Sequence, residues 1–259
     1  MKIFIITQED SLVIPRNMQL LANANFIDIA GACIVESKNS LSEKKSLFIK
    51  NFGFFQVAKM GFILTKNKII NGFDLLFGSK LLKNKKSVKS FCNYNNLLFC
   101  KVKNVNNNEF ISKLKHLDLD LIVSFSAPSI FKSELLSLPK KGCINLHCSL
   151  LPKYSGILPS FWTLFNDEKE TGATIHFMDD EIDNGDILGQ KSVEILKADS
   201  MFDIIKRTKK TGGNLMVDVI YNIMTNNIKL IKNKVNHKKY NSWPTDLDFK
   251  NFAKKRNLI

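Results

Sequence analysis

An amide, an imidazole and a carboxylate fall close together in this chain of 259 residues: Asn145, His147 and, thirty-eight positions after the asparagine, Asp183. These are the groups that acyl transfer to an amine requires. The amide donates to a developing oxyanion, the imidazole works as acid or base, and the carboxylate orients the imidazole. The segment 142–147 (GCINLH) is short and mostly apolar and runs into a loop containing Pro152. That pattern predicts a buried strand leading into a site. Side chains two positions apart on a strand share a face, so Asn145 and His147 point to the same side. An isolated Asn-x-His is more often a pair of core polar residues satisfied by backbone, and the residues around it decide between the two readings.

Those residues run from Gly142 to Leu188: GCINLHCSLLPKYSGILPSFWTLFNDEKETGATIHFMDDEIDNGDIL. They contain Asn-x-His-x-Ser-Leu-Leu-Pro at 145–152, Thr-Gly-x-Thr at 171–174 and an acidic loop ending in Asp-x-Gly-Asp at 183–186. The stretch resembles the folate-dependent formyltransferases, a family that includes glycinamide ribonucleotide, methionyl-tRNA and sugar N-formyltransferases and formyltetrahydrofolate hydrolase. The resemblance implies that Asn145, His147 and Asp183 are catalytic, that 10-formyltetrahydrofolate is the donor, and that no metal takes part. It also implies that backbone groups of Ser129, Ile130 and Phe131, and of Asp179, Asp180 and Glu181, hold the pterin end of the folate. Taken alone, 121–125 (LIVSF) reads as a buried strand and Ser126-Ala127-Pro128 as its turn, an ordinary strand-to-helix connection.

Three further features in the segment have plainer readings. His176, flanked by apolar residues in an expected strand, is read as packing in a half-buried sheet rather than facing the pocket. Phe161 and Trp162 are read as core residues of the helix that follows the catalytic loop. Cys148 neighbours His147, which raises a Cys-His hydrolase. On a strand, however, adjacent side chains point to opposite faces, and nothing marks Cys143 or Cys148 as a poised thiolate.

The elements that must position the trio alternate. Strands are expected over 2–7, 26–35, 96–103, 119–125, 142–147, 174–178 and 187–195. Helices are expected over 14–24, 43–90 and 109–117, with a long one capped by Ser200 and Asp203. Gly212-Gly213 inside the last helix is read as a kink or a close-packing point. Such alternation gives an α/β fold: an open, mostly parallel, Rossmann-like sheet with helices on both faces, plus a short C-terminal tail. Residues 1–225 are read as the catalytic domain and 226–259 as an extension folding back, with Trp243 as anchor. Ligands in such sheets sit at the carboxyl ends of the strands, where Asn145 and His147 fall.

Composition sets looser bounds. Five cysteines without a Cys-x-x-Cys pair, and no signal peptide at the first residues, fit a reducing cytoplasm. No apolar run suffices for a membrane span. The Phe-rich stretch 48–64 is broken by Lys50, Asn51, Gln56 and Lys59, and is read as a core helix in preference to an interfacial one. The net charge of +14 accompanies abundant Lys, Asn, Ile and Phe, as in AT-rich coding. Much of that charge is therefore read as solvated surface.

The acceptor is approached by elimination within the family. Glycinamide ribonucleotide enzymes carry a Gly-rich phosphate loop after the first strand, and here that loop is Gln8-Glu9-Asp10-Ser11-Leu12. Methionyl-tRNA enzymes carry a C-terminal barrel, for which 226–259 is short. The hydrolases carry an N-terminal regulatory domain, whereas here the first strand starts at once. Pro159-Ser160-Phe161-Trp162 resembles the sugar N-formyltransferases. The expected partner is therefore a nucleotide-linked amino deoxysugar, with a homodimer possible. A tRNA enzyme with a reduced tail, a 10-formyltetrahydrofolate hydrolase and a non-catalytic folate-binding protein stand as alternatives.

Overall fold

In the computed structural model, which describes residues 1–36, 41–234 and 240–259, seven strands form one sheet in the order β3-β2-β1-β4-β5-β6-β7. β1 (Lys2–Thr7), β2 (Asp28–Val35), β3 (Leu98–Val102), β4 (Leu121–Phe125) and β5 (Cys143–His147) are parallel. β6 (Glu170–Phe177) runs antiparallel to β5, and β7 (Ile187–Glu194) antiparallel to β6. β1 has no polar alternation because both of its faces are covered. Ile3 and Ile5 join one core cluster, Phe4 and Ile6 the other.

α1 (Ile14–Ala22), α3 (Val88–Tyr94) and α7 (Met201–Met224) supply the first cluster, and α4 (Asn108–Lys115) and α5 (Ser133–Leu136) the second. The expected α/β sheet with helices on both faces is the one observed. α7 opens with the capping box of Ser200 and Asp203 and runs unbroken through Gly212-Gly213. A Cβ at Gly212 would lie 2.2 Å from Leu146, and one at Gly213 2.2 Å from Asn17. The pair therefore lets α7 lie directly on β5 and α1, and close packing, not a kink, is its role.

Two expectations change. The helical span 43–90 divides into α2 (Leu41–Leu76) and α3, joined by turns, and α2 itself bends at Gly53, whose φ is 77°. Before the bend Phe52 is buried. Beyond it Phe54, Phe55, Phe62 and Phe73 are 58–87% exposed, so this part of α2 is not a core helix. Only a narrow inward side is engaged, by Val57 and Met60 against a third apolar cluster and by Asp74 bonded to Ser90. The tail also holds a helix that was not expected, α8 (Asp246–Ala253), opened by a capping box of Thr245 and Asp248. Its Phe249 and Phe252 join Phe52, and Phe161 of α6 (Pro159–Phe165), in that third cluster, and Trp243 packs beside them.

Candidate active site

β5 carries Asn145 and His147 on one face, as their spacing requires, and its antiparallel neighbour places His176 opposite Asn145. The loop 178–186 between β6 and β7 folds back so that Asp183 reaches both histidines. Its Oδ2 lies 3.3 Å from His147 Nδ1, and its Oδ1 lies 3.6 Å from His176 Nε2. Asn145 Nδ2 is 3.2 Å from His176 Nε2. The structure thus brings Asn145, His147 and Asp183 together and adds His176, which corrects the expectation that His176 merely packs. His176 Nδ1 donates to the Phe177 carbonyl at 2.6 Å, leaving Nε2 to accept from the Asn145 amide. The second amide hydrogen of Asn145 stays available for a ligand oxygen.

The loop turns by unusual backbone. Asp183 in this loop, and Tyr154 and Leu158 in the loop after β5, all have positive φ, near 52–59°, a region that Asp enters more readily than most residues. Gly185 follows because a Cβ there would meet the Phe177 carbonyl oxygen at 2.1 Å. The Asp183 carboxylate accepts from the Gly156 N–H at 2.7 Å. Residues of the tail brace the same loops. Asn233 Nδ2 donates to the Asp183 carbonyl at 2.7 Å, and the Asn241 N–H donates to the Ser155 carbonyl at 3.0 Å. Asn233 and Asn241 carry no signal in the sequence, since tail asparagines are common in this composition.

Burial opposes charge on both His147 and Asp183, but each offsets the other's cost. Burial pulls the His147 pKa down, while Asp183 and the Tyr154 carbonyl raise it, and the net position is above the ordinary 6.5. Burial likewise pushes Asp183 up, yet the adjacent His147 imidazolium outweighs it and holds its carboxyl far below the usual range. His147 Nε2 lies 2.9 Å from the Tyr154 carbonyl, so both of its ring nitrogens face acceptors. Only the imidazolium satisfies both.

The residues expected to hold folate lie on the loops after β4 and β6. Phe131 is fully buried, and Ala127 and Met178 pack in the same cluster, so the loops after β4 and β6 meet there. The Ile130 side chain is exposed, and its carbonyl accepts from Asn106 Nδ2 at 2.9 Å. Asp179 holds its own turn, accepting from the Glu181 N–H at 3.1 Å and from Asn184 at 2.8 Å. Asp180 and Glu181 are exposed and Ser129 half-buried. Cys148 is half-buried, and desolvation raises its thiol pKa, which removes the thiolate that a Cys-His hydrolase needs.

The loop after β1 already holds a carboxylate. Asp10 Oδ1 accepts from the N–H groups of Leu12 and Val13, and its Oδ2 bonds Lys209 at 2.6 Å. Two of the N–H donors that an anion would use just ahead of α1 are thus taken by a carboxylate.

A Rossmann-like sheet that ends in an Asn-His-Asp cluster on β5 and a folded-back acidic loop is the frame of an acyl-transfer protein. A family model described as formyl transferase matches residues 67–220, more than half of the chain, and the chain belongs to that family. Methionyl-tRNA formyltransferase of Thermodesulfovibrio yellowstonii is 38% identical over 124 residues, 48% of this chain and 40% of that protein. The bifunctional polymyxin resistance protein ArnA of Wigglesworthia glossinidia brevipalpis is 40% identical over 134 residues, 52% of this chain and 19% of that protein. The chain thus matches less than half the length of these curated relatives. Among solved structures, the N-formyltransferase of Helicobacter canadensis in complex with folinic acid and dTDP-3-aminofucose superposes with a TM-score of 0.61. That match has 19% identity and covers 100% of this chain and 81% of the other. Phosphoribosylglycinamide formyltransferase of Anaplasma phagocytophilum gives a TM-score of 0.62 at 16% identity, covering 94% and 99%.

Proposed function

We propose that the protein transfers a formyl group from 10-formyltetrahydrofolate to a primary amine, and that the amine belongs to a nucleotide-linked amino sugar. The observation that carries the transfer is the approach of Asp183 to His147 at 3.3 Å, beside an Asn145 amide with one hydrogen to spare. The amine attacks the formyl carbon, and the developing oxyanion takes the Asn145 hydrogen and the field of the His147 imidazolium. Asp183 keeps that imidazolium charged, and the amine's proton passes to the departing N10 nitrogen. His176 positions the Asn145 amide.

Folate would lie along the loops after β4 and β6. The Ile130 carbonyl and the Glu181 N–H already have partners. Pterin contacts would fall mainly on the remaining backbone of Ser129, Phe131, Asp179 and Asp180. Two observations support a sugar acceptor: the Pro159-Ser160-Phe161-Trp162 segment, and solved neighbours whose names carry dTDP-3-aminofucose, or dTDP with 5-N-formyl-tetrahydrofolate. The carboxylate-filled loop after β1 argues against glycinamide ribonucleotide. A second reading, formylation of methionyl-tRNA, is favoured by the 37–41% identity to such enzymes over about half the chain. Residues 1–225 would form the transferase unit and 226–259 its brace.

Tetrahydrofolate release from 10-formyltetrahydrofolate, followed by absorbance with a panel of nucleotide-linked amino sugars, separates these readings. Release that requires one sugar supports the proposal. Release without an amine means hydrolysis, and release only with charged initiator tRNA means the second reading.

A further inference from the structure

The outward side of α2 beyond Gly53 is apolar. Phe55, Phe62, Ile69 and Leu76 are spaced seven apart, and Phe73 lies eighteen after Phe55. On a helix these fall in one stripe about 30 Å long. All five are 56–87% exposed. Few folded proteins leave so long an apolar stripe in water without a partner for it. Lys59 and Lys66 flank the stripe on one side and Lys68 on the other, all exposed. Lys80 and Lys83 extend the same charge into the turns before α3, and Lys89 into its first turn, all exposed.

Between Lys50 and Lys103 the sequence has eleven lysines and a single acid, Asp74. That acid is buried and bonded to Ser90 and Lys85, so it offers the surface no negative charge. Of the acids on packed elements, Asp246 is engaged by Lys50, and Glu9 accepts from the Val88 N–H.

From this arrangement we infer that the outer face of α2 binds an anionic lipid surface. The proposal goes beyond formyl transfer and does not rest on it. Three features select this occupant. A second copy of the chain would bring two lysine-rich faces together without a carboxylate between them. A nucleic acid would engage the lysines but leave Ile69 and Leu76 without a stacking role. An anionic bilayer takes both, with apolar side chains entering the headgroup boundary and lysines meeting the phosphates. Among the described residues no helix is long and apolar enough to cross a membrane, so α2 lies on the surface and does not span it.

Flotation of the full chain tests this with phosphatidylcholine vesicles, with and without about 30% phosphatidylglycerol, at low and high salt. The protein should float only with the anionic vesicles. The double variant Phe55→Ser, Phe62→Ser should lower partitioning at least about tenfold at either salt. The triple variant Lys59→Glu, Lys66→Glu, Lys68→Glu should lower it by roughly fivefold or more per lysine, and high salt should reproduce its effect on the parent. Circular dichroism melts of both variants should match the parent, because the changed residues are exposed. Equal binding to neutral vesicles, or binding to neither, overturns the proposal. So does a dimer in light scattering that the serine variant dissolves, in the absence of flotation. Lysine-dependent tRNA retention without flotation also overturns it.

Discussion

The loops around Asp183 and the outer half of α2 solve opposite problems. In the first, a carboxylate that would rather be in water is taken nine-tenths out of it and given two imidazoles, a backbone N–H and a brace from the tail. In the second, phenylalanines that would rather be out of water remain in it. The site is over-determined around Asp183, whose carboxylate meets two imidazoles and a backbone N–H while its carbonyl is pinned from the tail. The helix is under-determined within its own chain, since only a narrow inward side is held. Rigidity belongs where bonds are broken, and unsatisfied surface belongs where something else will dock.

The sharpest way to break this contrast is to remove the trio. Asn145→Ala, His147→Ala and Asp183→Asn should each cost about 10² to 10⁴ in kcat, the range for a positioned acid, base or oxyanion donor. Single-turnover formyl transfer measures it. Next comes the boundary within α2 itself. Phe52→Ala should destabilise by about 3–5 kcal/mol in urea unfolding because Phe52 is buried among aromatic rings, whereas Phe55→Ala should stay within about 0.5 kcal/mol. Gly212→Val should follow, at about 1–3 kcal/mol or more in the same assay, because the added atoms meet Leu146.

The smallest effect is a titration. The His147 pKa stands above 6.5, so the imidazolium's contribution to stability is full below that pH and fades as pH rises through the folded value. Asp183, held low, contributes above its ordinary 3.8 and loses that contribution only as pH falls through its depressed value. Asp183→Asn should therefore lower the His147 pKa, read from the ring proton by NMR. The alkaline limb of any residual activity should move to lower pH with it. An unmoved His147 would mean that the carboxylate does not set its charge.

The parallel sheet and the trio were legible because periodicity and motif agreed. Continuous apolar runs such as Ile3–Ile6 need two covered faces, and Asn145 and His147 need one shared face. His176 was misjudged because alternation along one strand does not reveal which residue lies across from it; only the β5–β6 register does. The Phe-rich helix was misjudged for a related reason. A stretch so rich in Phe reads as core despite its scattered polar residues, and nothing local says that its neighbours leave one side open. α8 was overlooked because its two phenylalanines stand in a polar stretch, although Thr245 and Asp248 spelled a capping box.

The brace from the tail has a consequence for the order of assembly. During synthesis the sheet strands β1 to β5 are complete once His147 has been made, and domains fold from the N-terminus as they emerge. Asp183 arrives later, and Asn233 and Asn241, which pin its loop and the Gly156 turn, later still. A nascent chain therefore carries Asn145 and His147 on β5 before it has the residues that pin their carboxylate partner. The carboxylate loop gains its last partners only when the tail itself has been made.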